Sequence, residues 1–152
     1  MTLDVHSTVI RLATPADQTE WLRMRHDLWP DVEQDELLRE MERIMADPMM
    51  PVFVMERPDG RLGGFVETGT RKYADGCETS PVGYLEGWLV DEDLRGQGLG
   101  KALIHAAENW ARDQGLHEMA SDTWLENEIS IAAQLKMGYE EVERLVHFVK
   151  TL

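Results

Sequence analysis

Arg95-Gly96-Gln97-Gly98-Leu99-Gly100 is the stretch of this sequence whose residue types most directly imply chemistry. Three glycines at alternate positions let the backbone approach a bulky anion closely. The apolar residues that follow, Leu99, Leu103, Ala106 and Trp110, recur at steps of three and four, so the loop opens a helix. Gly115 stands where that helix would be capped. A helix N-terminus presents unbonded N–H groups and the positive end of the helix dipole, which together suit a phosphate or pyrophosphate. Two common phosphate loops do not fit. A Walker A loop needs G-x-x-x-x-G-K-[ST], but Arg95 stands at the first glycine and Ala102 follows Lys101. A dinucleotide fingerprint needs G-x-G-x-x-G, whereas these letters read G-x-G-x-G.

Such a loop needs a strand to deliver it, and the apolar run Tyr84 to Val90 supplies one. Upstream, Thr8 to Leu12 reads as a short strand, and Thr14-Pro15-Ala16-Asp17 starts a helix running to about Trp29, where Pro30 ends it. Asp31 to Asp47 is an amphipathic acidic helix with Leu37, Leu38, Met41, Ile44 and Met45 as its apolar stripe. Val52 to Glu56 and Leu62 to Gly69 form a hairpin around Pro58-Asp59-Gly60. After Gly115 come a strand from Glu118 to Thr123, a helix from Glu128 to Lys136, and a last strand through Val146 to Val149. The order β-α-α-β-β-β-α-β-α-β implies an α/β fold, a mixed and mostly antiparallel sheet with helices on both faces.

With 152 residues, 43% of them hydrophobic, the chain suits one domain spanning residues 1–152. No N-terminal apolar run resembles a signal peptide and no segment is long enough to span a membrane, so a cytoplasmic location is expected. A formal charge of −14 argues against nucleic acid and favours cationic partners, although such a charge also serves solubility. Cys77 is the only cysteine and reads as incidental. His6, His26, His105, His117 and His147 show no ligand spacing, so no metal is expected.

The pattern R-x-x-G-x-G after a strand resembles the acetyl-coenzyme A signature of the GNAT superfamily of N-acetyltransferases, and the element order is also that fold's order. Several further strings resemble bacterial aminoglycoside 6'-N-acetyltransferases: Trp21 to Arg25 with Leu28-Trp29-Pro30, Asp75-Gly76-Cys77, Ser80 to Trp88, Glu118 to Trp124, and Gly138 to Arg144. This resemblance implies acetyl transfer from acetyl-coenzyme A to the 6'-amino group of an aminoglycoside in a ternary complex, by a homodimer. A polyamine, a metabolite amine or a protein N-terminus as acceptor, or a non-catalytic coenzyme A sensor, are the alternatives.

An alkylamine is protonated near neutral pH and attacks a thioester only as the free base, so the site must hold a cation and then accept its proton. Glu86 is expected to accept the proton and Asp122 to orient the ammonium. Trp29, Tyr73, Trp124 and Glu126 are further candidates for the acceptor cleft. On the donor side, backbone N–H groups from Gly96, Gln97, Gly98, Leu99, Gly100 and Lys101 would take the pyrophosphate, with Arg95 beside it. An N–H near Leu89 or Val90 would polarise the thioester carbonyl. Asn127 and Ser130 match the superfamily's N-x-x-S pattern for the coenzyme arm. Many relatives carry a tyrosine as leaving-group acid where this sequence has Gln134. A thiol pKa near ~8.5 makes a dedicated acid dispensable.

Overall fold

The computed structural model describes residues 8–152; residues 1–7, including His6, lie outside the described residues. Strand β1 (Val9–Leu12) leads through a turn of 3-10 helix (Pro15–Asp17) into α1 (Gln18–Leu28). The Arg11 guanidinium donates to both oxygens of Asp17, at 2.7 and 2.9 Å, and so fixes the helix start to the strand. Helix α2 (Gln34–Ala46) follows, then β2 (Val52–Glu56), β3 (Leu62–Arg71) and β4 (Val82–Val90). A second 3-10 turn (Glu92–Leu94) leads to α3 (Leu99–Asp113), β5 (Met119–Ser121) and α4 (Glu128–Lys136).

The five strands lie in sequence order, antiparallel except for the parallel pair β4–β5, which α3 connects. Helices α1, α2 and α3 cover the two faces because each buries an apolar stripe. Met41 and Ile44 of α2, with Trp21 and Met24 of α1, pack on Val52, Val54 and Phe65. On the other face Leu99, Leu103, Ile104 and Ala107 of α3 pack on Met55, Val66 and Leu85. Each fully buried Leu, Ile or Phe side chain contributes roughly 1.5–3 kcal/mol, so these two layers hold the sheet rigid beneath the site.

One expected element is absent. No strand forms over residues 146–149; the chain beyond Tyr139 carries neither helix nor sheet pairing. Val146 is 77% exposed, Phe148 93% and Val149 99%. Apolar residues make a strand only where an open edge lies within reach, and β5, the near edge, spans just three residues.

Candidate active site

Strand β4 pairs with β5 only over Gly83 to Leu85, opposite Met119 to Ser121. Because β5 ends at Ser121, the edge of β4 beyond Leu85 has no strand partner on that side as far as Val90, which leaves a gap there. Its pairing with β3 continues, but it slips: Glu67 is opposite Gly87 while Thr68 is opposite Leu85. Glu86 is therefore the extra residue of a β-bulge, the device that re-aims side chains beside functional sites. Leu85 and Trp88 consequently both pack toward α3, although three residues apart. Gly87 lies against α1 instead, where an added Cβ would meet the Trp29 ring at 2.6 Å.

The free edge separates the two expected carbonyl-polarising donors. Asp91 N–H donates to the Gly63 carbonyl at 2.8 Å. N–H direction alternates along an antiparallel ladder, so Leu89 points its N–H at β3, whereas Val90 points its own at the gap. Val90 is the better placed of the two.

The phosphate-type loop sits at the end of this edge. Gly96 and Gly98 both have φ of +79°, in the left-handed region that favours glycine, and Gly98 is the N-cap of α3. Ala102 N–H makes the bond back to Gly98. The N–H groups of Leu99, Gly100 and Lys101 precede it and are unsatisfied within the helix. The Leu99 side chain is buried in the core, so that residue offers only backbone to a ligand. Gly100 is obligatory for packing, because a Cβ there would stand 2.8 Å from the Trp88 ring. Arg95 bends back so that Nε donates to the Val90 carbonyl at 3.0 Å, tying the loop to the strand end. Gln97 and Lys101 complete the loop without burial. These groups fit the pyrophosphate and thioester ends of acetyl-coenzyme A.

Across the gap, the structure connects Glu86 and Asp122 through two residues that sequence reasoning missed. The Arg71 guanidinium donates to both Glu86 oxygens, Nε at 3.0 Å and Nη2 at 2.7 Å. It also stacks 3.5 Å from the centroid of the Tyr84 ring, and the Tyr84 hydroxyl donates to Asp122 Oδ2. Burial, then the bond to Asp122, pushes the Tyr84 phenol well above its ordinary pKa, so it remains a donor. The bond to Glu86 raises the Arg71 pKa. Gly69, opposite Tyr84, leaves room for the Glu86 side chain, which passes 3.8 Å from where a Cβ would be. Period-two spacing of Gly69 with Arg71 and of Tyr84 with Glu86 is the one sequence signal that marks these residues as neighbours.

The remaining candidates are dispersed. Trp29 closes the C-terminus of α1 against Gly87, with the Arg25 guanidinium 4.8 Å from its ring centroid. Arg25 is buried, and donates to both oxygens of the buried Glu67 at 3.0 Å, to Glu40 and to the Leu37 carbonyl. Trp29 is thus held from behind by a buried ion pair. Tyr73 is largely exposed and donates to Asp75 Oδ1 at 3.0 Å. Trp124 and Glu126 lie exposed on the loop between β5 and α4. Asn127 is the N-cap of α4: its Oδ1 accepts from Ser130 N–H at 3.1 Å, and Ser130 Oγ accepts from Gln134 Nε2 at 3.1 Å. The N-x-x-S pair therefore has a local structural use in starting that helix. Among the described residues, no group of three or more His, Cys, Asp or Glu is arranged to hold a metal ion.

Residues 18–139 match the Acetyltransferase (GNAT) family. The chain belongs to the GNAT acetyltransferase family. Relatives of this GNAT chain include an aminoglycoside N(6')-acetyltransferase type 1 of Stenotrophomonas maltophilia. It is 44% identical over 140 residues, which are 91% of this chain and 90% of the relative. The enzyme of the same description from Klebsiella aerogenes is 41% identical over 150 residues, 96% of this chain and 98% of that one. The fold matches the structure of AAC(6')-Iy in complex with the bisubstrate analog CoA-S-monomethyl-acetylneamine. There the TM-score is 0.89 at 35% identity, over 95% of this chain and 99% of the other.

Proposed function

We propose that this protein transfers the acetyl group of acetyl-coenzyme A to the 6'-amino group of aminoglycoside antibiotics, and so confers resistance to them. The observation that carries the reading is the bulge that sets the Glu86 carboxylate at the mouth of the β4–β5 gap, with Asp122 reached through Tyr84. Its relatives' names supply the substrate class.

Acetyl-coenzyme A supplies an activated acetyl group and a thiolate leaving group. N–H groups of the glycine loop, from Gly96 to Lys101, bind the pyrophosphate, and Val90 N–H points at the thioester oxygen. Asp122, held by Tyr84, orients the amino sugar as a cation, with Trp29 behind the strand and Tyr73, Trp124 and Glu126 on the rim. Glu86 takes one proton from the ammonium, directly or through a water. The freed lone pair forms the C–N bond, the C–S bond breaks, the amide nitrogen gives up its second proton to solvent, and the thiolate takes one up from solvent. No tyrosine is required for that last step, since the position of the usual acid is filled by Gln134.

Purified protein incubated with acetyl-coenzyme A and tobramycin or kanamycin should yield the 6'-N-acetyl product, and its expression should raise the inhibitory concentration of both drugs. A higher kcat/KM for a polyamine or a peptide N-terminus would move the substrate class. No transfer to any amine, with coenzyme A still bound, would identify a sensor.

The active species in this reading is a homodimer. Its support is the C-terminal stretch, where Val146, Phe148, Val149 and Leu152 are at least 77% exposed. Apolar side chains so fully in water need a cover, and a second copy of the chain provides one. Sedimentation equilibrium at micromolar concentration should give twice the 17.4 kDa chain mass; a single-chain mass would remove the dimer from the reading.

A further inference from the structure

Arg71 occupies the position that an acceptor ammonium would need. Glu86 has two carboxylate oxygens, and the guanidinium engages both, at 3.0 and 2.7 Å. The same group stacks on the Tyr84 ring at 3.5 Å, directly beside the hydroxyl that donates to Asp122. Arg71 therefore sits between the two carboxylates as a planar cation with donors, which is also the chemical description of a bound amino sugar's charged end. With both Glu86 oxygens accepting from the guanidinium, an acceptor ammonium can engage them only when Arg71 gives way.

We propose that Arg71 is a resident counter-cation of the acceptor site, displaced from Glu86 by the incoming ammonium, and hence a determinant of acceptor affinity. This rests on Glu86 being the acid that receives the acceptor amine. Two features make the exchange feasible. The pair is accessible to water, with side-chain exposures of 43% for Arg71 and 32% for Glu86, so solvent screens it and its net stability is small. The arginine also stands at the last position of β3, from which a flexible stem reaches back to Glu86; releasing it breaks no ladder bond of the sheet. The exchange swaps one cation for another, so Glu86 is never left uncompensated beside Asp122. A neutral hydroxyl brought to the same place carries no charge to offset the lost guanidinium, and the site discriminates against it.

The test is titration calorimetry of the coenzyme A-loaded protein with tobramycin, alongside steady-state kinetics. If the uncompeted site is present in roughly a tenth to a fifth of molecules, Arg71→Gln should tighten tobramycin binding by about five- to tenfold, with the melting temperature unchanged. Arg71→Lys, which keeps the charge but loses the two-pronged contact, should fall between. Lys72→Gln removes the neighbouring positive charge and should change binding by less than about twofold, the size of a screened surface effect. In a double-variant cycle, Glu86→Gln should abolish the gain from Arg71→Gln. Weaker or unchanged binding in Arg71→Gln would overturn the proposal, as would an equal gain from Lys72→Gln. Should Arg71→Gln fail to fold, Arg71→Lys decides by the same sign. Unimpaired turnover in Glu86→Gln alone would instead strike the reading of Glu86, and so separates the two failures.

Discussion

Replacing Glu86 by glutamine should lower kcat for tobramycin by about 10²- to 10³-fold, the usual contribution of a positioned proton acceptor, while the KM for acetyl-coenzyme A stays within about twofold. The substitution is nearly isosteric. Its amide oxygen still accepts from Arg71, so the bulge and the Tyr84 stacking persist, and what disappears is the capacity to take a proton. The glycine loop is built from α3 and the end of β4, out of contact with that side chain, which is why donor binding should be unaffected. Initial rates over a range of acetyl-coenzyme A concentrations at saturating tobramycin, with a melting curve for each protein, measure both parts. A kcat within fivefold of the parent would remove Glu86 from the proton path.

The second large effect concerns stability. Arg25→Met should destabilise the fold by about 3–5 kcal/mol, since it leaves Glu67 buried without its partner. For a chain of this length that corresponds to a fall in melting temperature of roughly 10 °C. The pH dependence has a definite sign. Burial pushes the Glu67 carboxyl up, and the Arg25 bonds oppose that rise. In the variant that rise is opposed only by the bond from the Trp21 indole N–H. A carboxyl whose folded pKa exceeds its unfolded value stabilises the fold below the unfolded value, 4.5 for glutamate, and that contribution is lost as pH climbs through the folded pKa. The deficit of Arg25→Met should thus be largest at neutral and alkaline pH and shrink on acidification toward that value. Chemical denaturation at several pH values measures it, and Glu67→Leu in the same chain should restore most of the loss. A deficit that grew on acidification would contradict this account of the pair.

The elements that could be read from the sequence were those with local causes. The proline and acid after Thr14, the turn residues 58–60 and the helical steps after Gly98 act within a few residues, and each element stands where they put it. The glycine loop belonged to the same class, because its conformation depends on φ values that only neighbouring glycines supply. Long-range features were not legible. The bulge at Glu86 exists only in the register between β3 and β4; Arg71 reaches Glu86 because those strands are paired; Arg25 and Glu67 are 42 positions apart. The stretch through Val146 to Val149 has a strand's composition, yet composition carries no information about where an edge will be found.

The bulge also amounts to a change of reading frame within a single strand. Upstream of Glu86, odd-numbered residues of β4 face α3; downstream, even-numbered ones do, as Leu85 and Trp88 demonstrate. A regular strand of the same letters would turn Trp88 into the α1 layer, crowding Trp29, and would swing the Val90 N–H toward β3. Deleting residue 86 would remove carboxylate and bulge together, yet the residues after it would keep their faces, because Gly87 would follow Leu85 in unbroken register. The extra residue is what lets the strand carry a carboxylate at this point without transposing the side chains that follow.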